Sequence, residues 1–183
     1  IYYNMSITLI FGSMYSGKTT ELIRRITRYH SINKRVLVVN SRLDDRYSGD
    51  ESIVSHDKIT YNCVKATTLS EIEEKTYIDV DVIAIDEGQF FTDLKEYVLK
   101  FCEEHGKTVI IAGLISDYQR KKFGNMADLF YVATDLVHLK SLCTTCKDGT
   151  LGIFTKKLCS SVNQIDVGST DKYIALCRAC YLK

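Results

Sequence analysis

Gly12-Ser-Met-Tyr-Ser-Gly17-Lys18-Thr19 fits the phosphate-binding pattern G-x-x-x-x-G-K-[ST] without a mismatch. Glycines at those positions let successive backbone N–H groups close around an anion. A following helix would aim its N-terminus at the same point, Lys18 would add charge for the outer phosphates, and Thr19 would hold a magnesium ion. A second chemical feature is Asp86-Glu87 at the end of the apolar run Val80-Asp-Val-Ile-Ala-Ile. In phosphate-loop enzymes a second strand ends in an acid that serves the magnesium, which points to Asp86. Glu87, one peptide further into the crevice, is the candidate acceptor for the proton of an attacking hydroxyl. Adjacent residues of an extended chain point to opposite sides, so the two acids are expected to serve different partners. The third feature is Cys143-Thr-Thr-Cys146 with Cys177-Arg-Ala-Cys180. Two C-x-x-C units are the spacing of a four-thiolate zinc site, which has no open position for a reactant and is therefore structural.

Those groups need a scaffold, and the sequence outlines one. Ser6 to Phe11, Arg35 to Asn40, Val80 to Ile85 and Thr108 to Gly113 are short, nearly continuous apolar runs, as expected of strands covered on both faces. Between the first two, Leu22, Ile23, Ile26 and Tyr29 recur on one helical face, opposite Glu21, Arg24, Arg25 and Arg28. Leu94, Tyr97, Val98 and Phe101 mark another helix, stopped by Gly106. Strand and helix alternate through short links, which predicts an α/β fold with a parallel sheet and helices on both faces. Ligands of such sheets sit beyond the carboxyl ends of the strands, where the phosphate loop and Asp86-Glu87 fall.

The remaining segments are less regular. Ile1 to Met5 is expected to be a frayed start, and Ser41 to Lys58 a long polar loop without periodicity. Ile59 to Val64 reads as an edge strand, and Leu69 to Thr76 as a short helix with a Ser70-x-x-Glu73 capping box. Asn125 to Ala133 reads as a helix, followed by a strand over Leu136 to Lys140. From Cys143 onward apolar periodicity fades, which sets a boundary near Ser141, dividing a nucleotide-binding unit (1–141) from a zinc-binding lobe (142–183). Cys63 and Cys102 lie in apolar contexts and read as core, whereas Cys159 is the substitute ligand if one of the four were misassigned.

Bulk properties fit this reading. The 183 residues are 45% apolar, enough for a sizeable core. Lys and Arg number 24 against 23 acids, so no global basic field invites nucleic acid. The apolar runs are too short to span a membrane. Seven cysteines beside a nucleotide motif point to reduced thiols and metal ligation, with a cytoplasmic location as the expectation.

Taken together, the chain resembles the thymidine kinases of the zinc-containing, cellular and poxviral type. The resemblance rests on FGSMYSGKTTELIRR from Phe11, Asp44-Asp-Arg46-Tyr47, IDEGQFF from Ile85, QRK-x-FG from Gln119, both cysteine pairs, and the DKY-x-x-x-C-R-x-C-Y ending. It implies a RecA-like sheet joined to a zinc-bound lobe. It also implies transfer of the γ-phosphoryl of ATP to the 5′-hydroxyl of thymidine with Mg²⁺. On that pattern Gly12, Ser13, Met14, Tyr15, Ser16, Gly17, Lys18 and Thr19 hold the ATP phosphates, joined in the nucleotide site by Asp44, Arg46, Asp86 and Gln89. Glu87 is the base, with Arg46 and Lys18 at the transferring phosphoryl. Tyr118 offers a face on which thymine stacks, Met14 and Leu114 lie near its methyl, and a lasso of Gln164, Ile165, Asp166, Val167 and Gly168 binds the base edge, with Tyr173 nearby. The resemblance further implies a homotetramer, and thymidine triphosphate as a feedback inhibitor.

Leu114-Ile115-Ser116-Asp117-Tyr118 departs from the family's usual versions, notably at Ile115, where a polar or basic residue is common. Two other readings compete: a phosphate-loop ATPase acting on nucleic acid, and a kinase of another deoxynucleoside. The first wants a basic groove that the balanced charge does not offer; the second is a matter of pocket shape.

Overall fold

The computed structural model describes residues 5–44, 52–54, 60–158 and 172–183. Six parallel strands form the central sheet in the order β5-β2-β6-β7-β1-β8. These are β1 (Ser6–Gly12), β2 (Val36–Ser41), β5 (Val64–Ala66), β6 (Val82–Ile85), β7 (Thr108–Gly113) and β8 (Asp135–Leu139). Their alternation explains the apolar runs. Ile7, Leu9, Leu37, Val39, Ile83, Ile85, Val109 and Ile111 face one core, while Ile10, Val38, Val82, Ala84, Ile110 and Ala112 face another. Both faces of the sheet are therefore buried, and both sets of positions must be apolar.

Helix α1 (Lys18–His30) covers the second core with Leu22, Ile23 and Ile26. The first core is covered by α2 (Glu74–Tyr77), α3 (Leu94–Leu99) with the π turn Lys100–Glu104 that continues it, and the 3₁₀ turn Met126–Leu129. Beyond β8 the described residues make two small antiparallel pairs. They are β9 (Ser141–Leu142) with β10 (Leu151–Gly152), and β11 (Phe154–Lys157) with β12 (Tyr173–Leu176), followed by α4 (Arg178–Tyr181).

Several expectations need correction. The capping box at Ser70 does not form: Leu69–Glu71 is a 3₁₀ turn, and the Asp93 carboxylate caps it by accepting from Leu69 N and Ser70 N. A carboxylate that reaches two adjacent N–H groups from another segment does the work expected of the local hydroxyl. The edge strand expected at Ile59 to Val64 is split. Thr60–Asn62 (β4) pairs antiparallel with Ser52–Val54 (β3), and Val64–Ala66 joins β2 as the sheet edge. The long loop thus contains β3. The helix expected over Asn125 to Ala133 is only the 3₁₀ turn. Residues 1–4 and most of the 45–59 segment lie outside the described residues.

Candidate active site

At the end of β1 the chain turns through two left-handed residues, Tyr15 at φ 61° and Gly17 at φ 82°, before entering α1. Left-handed residues in such a turn aim successive N–H groups into one concavity, and α1 adds the positive end of its dipole. Gly12 has no room for a side chain, since a Cβ would sit 2.2 Å from Leu139 O and 2.6 Å from Ser16 Oγ. Ser16 Oγ is buried with no hydrogen-bond partner among the described residues. An anion in the concavity would give that hydroxyl its acceptor, so the loop fits a phosphate. Lys18 Nζ donates to Ser13 O at 2.9 Å, lying back across the loop.

Across the sheet, Thr19 Oγ1 donates to Asp86 Oδ2 at 2.9 Å, bringing together the two groups expected to serve a cation. Asp86 Oδ1 in turn accepts from Glu87 N at 3.0 Å. The expectation of an extended Asp86-Glu87 pair fails here. β6 ends at Ile85, and Glu87 adopts φ 52° and ψ 42°. The Asp86 side chain bonds the next backbone N–H, and this turn replaces the strand pleat. The two acids still serve different partners: Gln89 Nε2 donates to Glu87 Oε2 at 2.5 Å, and Gln89 Oε1 accepts from Leu114 N at 2.9 Å. Gln89, expected with the nucleotide, is thus buried between Glu87 and the segment after β7. Asp44 is buried just beyond β2, accepting from Asn40 Nδ2 at 3.2 Å. Arg46 lies outside the described residues, as do Gln164, Ile165, Asp166, Val167, Gly168 and Cys159.

The segment Leu114 to Phe123 forms a tight return loop. Phe123 N donates to Ile115 O, Asp117 N to Lys121 O, and the Asp117 carboxylate accepts from both Gln119 N and Lys121 N at 2.8 Å. Ile115 packs against the first core, which gives an apolar side chain a reason to stand there. Tyr118 is half-buried at the loop's apex, and its hydroxyl accepts from Gln119 Nε2 at 3.2 Å. Lys157 Nζ lies 5.1 Å from the Tyr118 ring centre and 5.9 Å from that of Tyr173, so these two tyrosines share one cation.

Two contacts and a cavity at the site escaped the sequence reading. Ser13 Oγ donates to Gly152 O at 2.8 Å and Met14 N to Thr155 Oγ1 at 3.0 Å, tying the phosphate loop to the C-terminal strands. Beside the loop is a cavity of about 460 Å³ lined by Tyr15, Ser16, Gly17, Thr20, Glu21, Arg24 and Leu139. Glu21 is held there by Arg24 and Arg25, and Arg24's two hydrogen bonds bring its pKa down to about 2. Position one turn after Lys18-Thr19 was the only available clue.

The Sγ atoms of Cys143, Cys146, Cys177 and Cys180 all lie within 4.8 Å of one another, with Cys146 3.5 Å from Cys180 and 3.8 Å from Cys177. Tetrahedral Zn–S bonds of about 2.3 Å imply sulfur separations of about 3.8 Å, so the cluster is sized for a metal ion. Backbone N–H donors, that of Cys177 foremost, pull the Cys143 thiol down to about 6, as suits a site that binds thiolate. Contacts with the other three sulfurs, Cys180 first, push Cys146 up to about 12 without an ion. Among the described residues the apolar cluster here has Cys143, Leu176 and Cys177 as buried members, with Ile174 and Tyr181 packed against it.

Comparison with known proteins follows the same lines. The family model described as thymidine kinase matches residues 5–181. The chain is 42% identical over 181 residues to thymidine kinase 1 of Dictyostelium discoideum, covering 96% of this chain and 77% of that protein. It is 38% identical over 183 residues to the thymidine kinase of Choristoneura fumiferana entomopoxvirus, covering 97% and 96%. With the cytosolic thymidine kinase of Homo sapiens it shares 39% over 180 residues, covering 97% and 73%.

Proposed function

The chain belongs to the thymidine kinase family, and from that membership we propose that it transfers the γ-phosphoryl group of ATP to the 5′-hydroxyl of thymidine in nucleotide salvage. The observation that carries the reading beyond family membership is the sequence of contacts Lys18, Thr19, Asp86, Glu87. An anion cradle, a hydroxyl paired with a carboxylate, and a second buried carboxylate follow one another along the carboxyl edge of the sheet.

In this reading, residues 12–19 bind the ATP phosphates and the cavity lined by Thr20, Glu21 and Arg24 takes the adenosine side. Thr19 and Asp86 would hold Mg²⁺, which neutralises charge on the β- and γ-phosphates when bound. The 5′-oxygen attacks the γ-phosphorus while the bond to the β-phosphate oxygen breaks, ADP leaves, and Glu87 accepts the hydroxyl proton. Arg46 stabilises the transferring phosphoryl. Tyr118 stacks the base, Met14 and Leu114 flank its methyl, Tyr173 and the backbone of Gln164 to Gly168 take its edge. Recognition of one methyl is worth about 1 to 3 kcal/mol, so deoxyuridine should also be turned over.

Residues 142–183 form a lobe distinct from the nucleotide-binding unit of residues 1–141, and zinc is the ion suited to its four sulfurs. We further infer a homotetramer, inhibition by thymidine triphosphate at the nucleoside site, and a cytoplasmic setting. Among the described residues no helix is long and apolar enough to cross a membrane.

The test is ADP release from Mg·ATP without acceptor and with thymidine, deoxyuridine, deoxycytidine or single-stranded DNA, with products identified by mass. Thymidine-dependent release with formation of thymidine monophosphate is expected. Release that depends on DNA, or needs no acceptor, would overturn the kinase reading.

A further inference from the structure

The last helix of the chain reaches the loop that carries Tyr118. Tyr181 Oη donates to Tyr118 O at 2.6 Å, across 63 residues of sequence. The same phenol ring lies 4.8 Å from the Arg120 guanidinium and 5.2 Å from the Phe154 ring. Arg120 stands at φ 64°, and its N–H donates to Asp117 O, so the return loop itself turns the guanidinium back onto Tyr181. From the neighbouring strand β11, Lys157 lies over the Tyr118 ring. The C-terminal elements therefore grip Tyr118 at its backbone carbonyl and at its ring. Tyr181 is tied to the cysteine cluster in turn: it follows Cys180, and its N–H donates to Cys177 O at 2.9 Å.

We propose that Tyr181 is a positioning residue for the nucleoside, fixing through the Tyr118 carbonyl the backbone from which the Tyr118 ring projects. The proposal rests on the reading of Tyr118 as the surface on which the base stacks. The Tyr118 carbonyl shares its peptide plane with Gln119 N, which donates to the Asp117 carboxylate, and the Tyr118 ring leaves the chain at the Cα on which that plane hinges. The Tyr181 hydroxyl, on a ring held beside Arg120 and Phe154, fixes the carbonyl end of the same plane and so limits rotation about the Tyr118 Cα–C bond. The order this imposes is present before the base arrives, so its loss should appear as weaker nucleoside binding and leave the phosphate loop alone.

The test is Tyr181→Phe, which keeps the ring on Phe154 and under Arg120 and removes only the donor. Thymidine affinity is measured by calorimetry without ATP, and KM and kcat by steady-state assay. Loss of one such bond should weaken thymidine binding and raise its KM by about two- to tenfold. The KM for ATP, kcat at saturating thymidine and the melting temperature should stay close to wild type. Unchanged thymidine affinity would overturn the proposal, as would equal losses for thymidine and ATP, which would signify a general loosening of the fold. Wild-type protein that binds no thymidine would overturn the nucleoside reading itself, and this proposal with it.

Discussion

Gln89 links Glu87 to Leu114: its amide nitrogen donates to the Glu87 carboxylate at 2.5 Å and its carbonyl accepts from Leu114 N at 2.9 Å. One buried side chain thus connects the candidate base with the first residue after β7, where the segment proposed to bind the nucleoside begins. Gly113 is part of the arrangement, since a Cβ there would come 2.5 Å from Gln89 Oε1. Gln89→Met would fill the space without either bond. A carboxylate that loses a donor is held less firmly, and hydrogen bonds to charged groups are worth about 1.5 to 3 kcal/mol. We expect kcat to fall about tenfold or more with the KM for ATP nearly constant, measured by coupled ADP assay. A rise in the KM for ATP alone would instead put Gln89 with the nucleotide.

Glu87→Gln tests the base directly. The amide keeps the size of the side chain and its place beside Gln89, but it cannot take a proton. Turnover should drop by at least about 10²-fold while thymidine and ATP still bind by calorimetry. Near-normal turnover would remove Glu87 from the chemistry.

Gly124 supports the same region from below. It stands at φ 56°, and a Cβ would meet Gln89 O at 2.1 Å, a backbone atom that cannot move aside alone. Gly124→Ala should therefore destabilise by at least about 2 kcal/mol, combining left-handed strain with overpacking. Gly106, at φ 66° with nothing within 4 Å, is the control. Its alanine variant carries the strain without the clash and should cost about 1 kcal/mol. Equal losses in the two variants, followed by urea denaturation, would show that the contact with Gln89 does not matter.

What the sequence could say about this molecule depended on distance along the chain. β1, β2, β6 and β7 were legible because both their faces are buried, leaving apolar runs that no other local structure explains. The phosphate loop was legible because its glycines, lysine and threonine act within eight consecutive residues. Glu87's left-handed backbone was not, since a glutamate carries no local preference for it; the cause is the Asp86 carboxylate on its own N–H. Nor was the cap that Asp93 provides to Leu69 and Ser70, more than twenty residues away. The contacts between Ser13 and Gly152 and between Tyr181 and Tyr118 use ordinary residue types that join only when the chain folds.

The cysteine cluster makes a stoichiometric prediction. Among the described residues Cys143, Leu176 and Cys177 are the cluster's buried apolar members, two of them its own would-be ligands, so a bound metal should add substantially to its folding free energy. One zinc per chain is expected by elemental analysis of the purified protein. Chelation, or Cys177→Ser, should lower the melting temperature and open residues 142–183 to protease. Metal-free protein with the same melting curve as the zinc-loaded form would show that the cluster needs no ion.

Glu21 gives a pH dependence with a definite sign. Arg24, with Arg25 behind it, holds the Glu21 pKa at about 2 in the folded chain, against an ordinary value of 4.5. The fold therefore favours the ionised carboxylate, and its contribution is fully present above about pH 4.5. As the pH falls towards 2, the unfolded chain takes up the proton first and that contribution disappears. Arg24 is 54% exposed, so solvent screens much of the attraction, and Glu21→Gln should cost only about 1 kcal/mol at neutral pH. The difference in unfolding free energy between wild type and variant should be flat from pH 7 to about 4.5 and then shrink steadily towards pH 2. It should also narrow in high salt. A difference that persisted unchanged at low pH would mean that Glu21 acts through packing around the cavity it lines, and not through its charge.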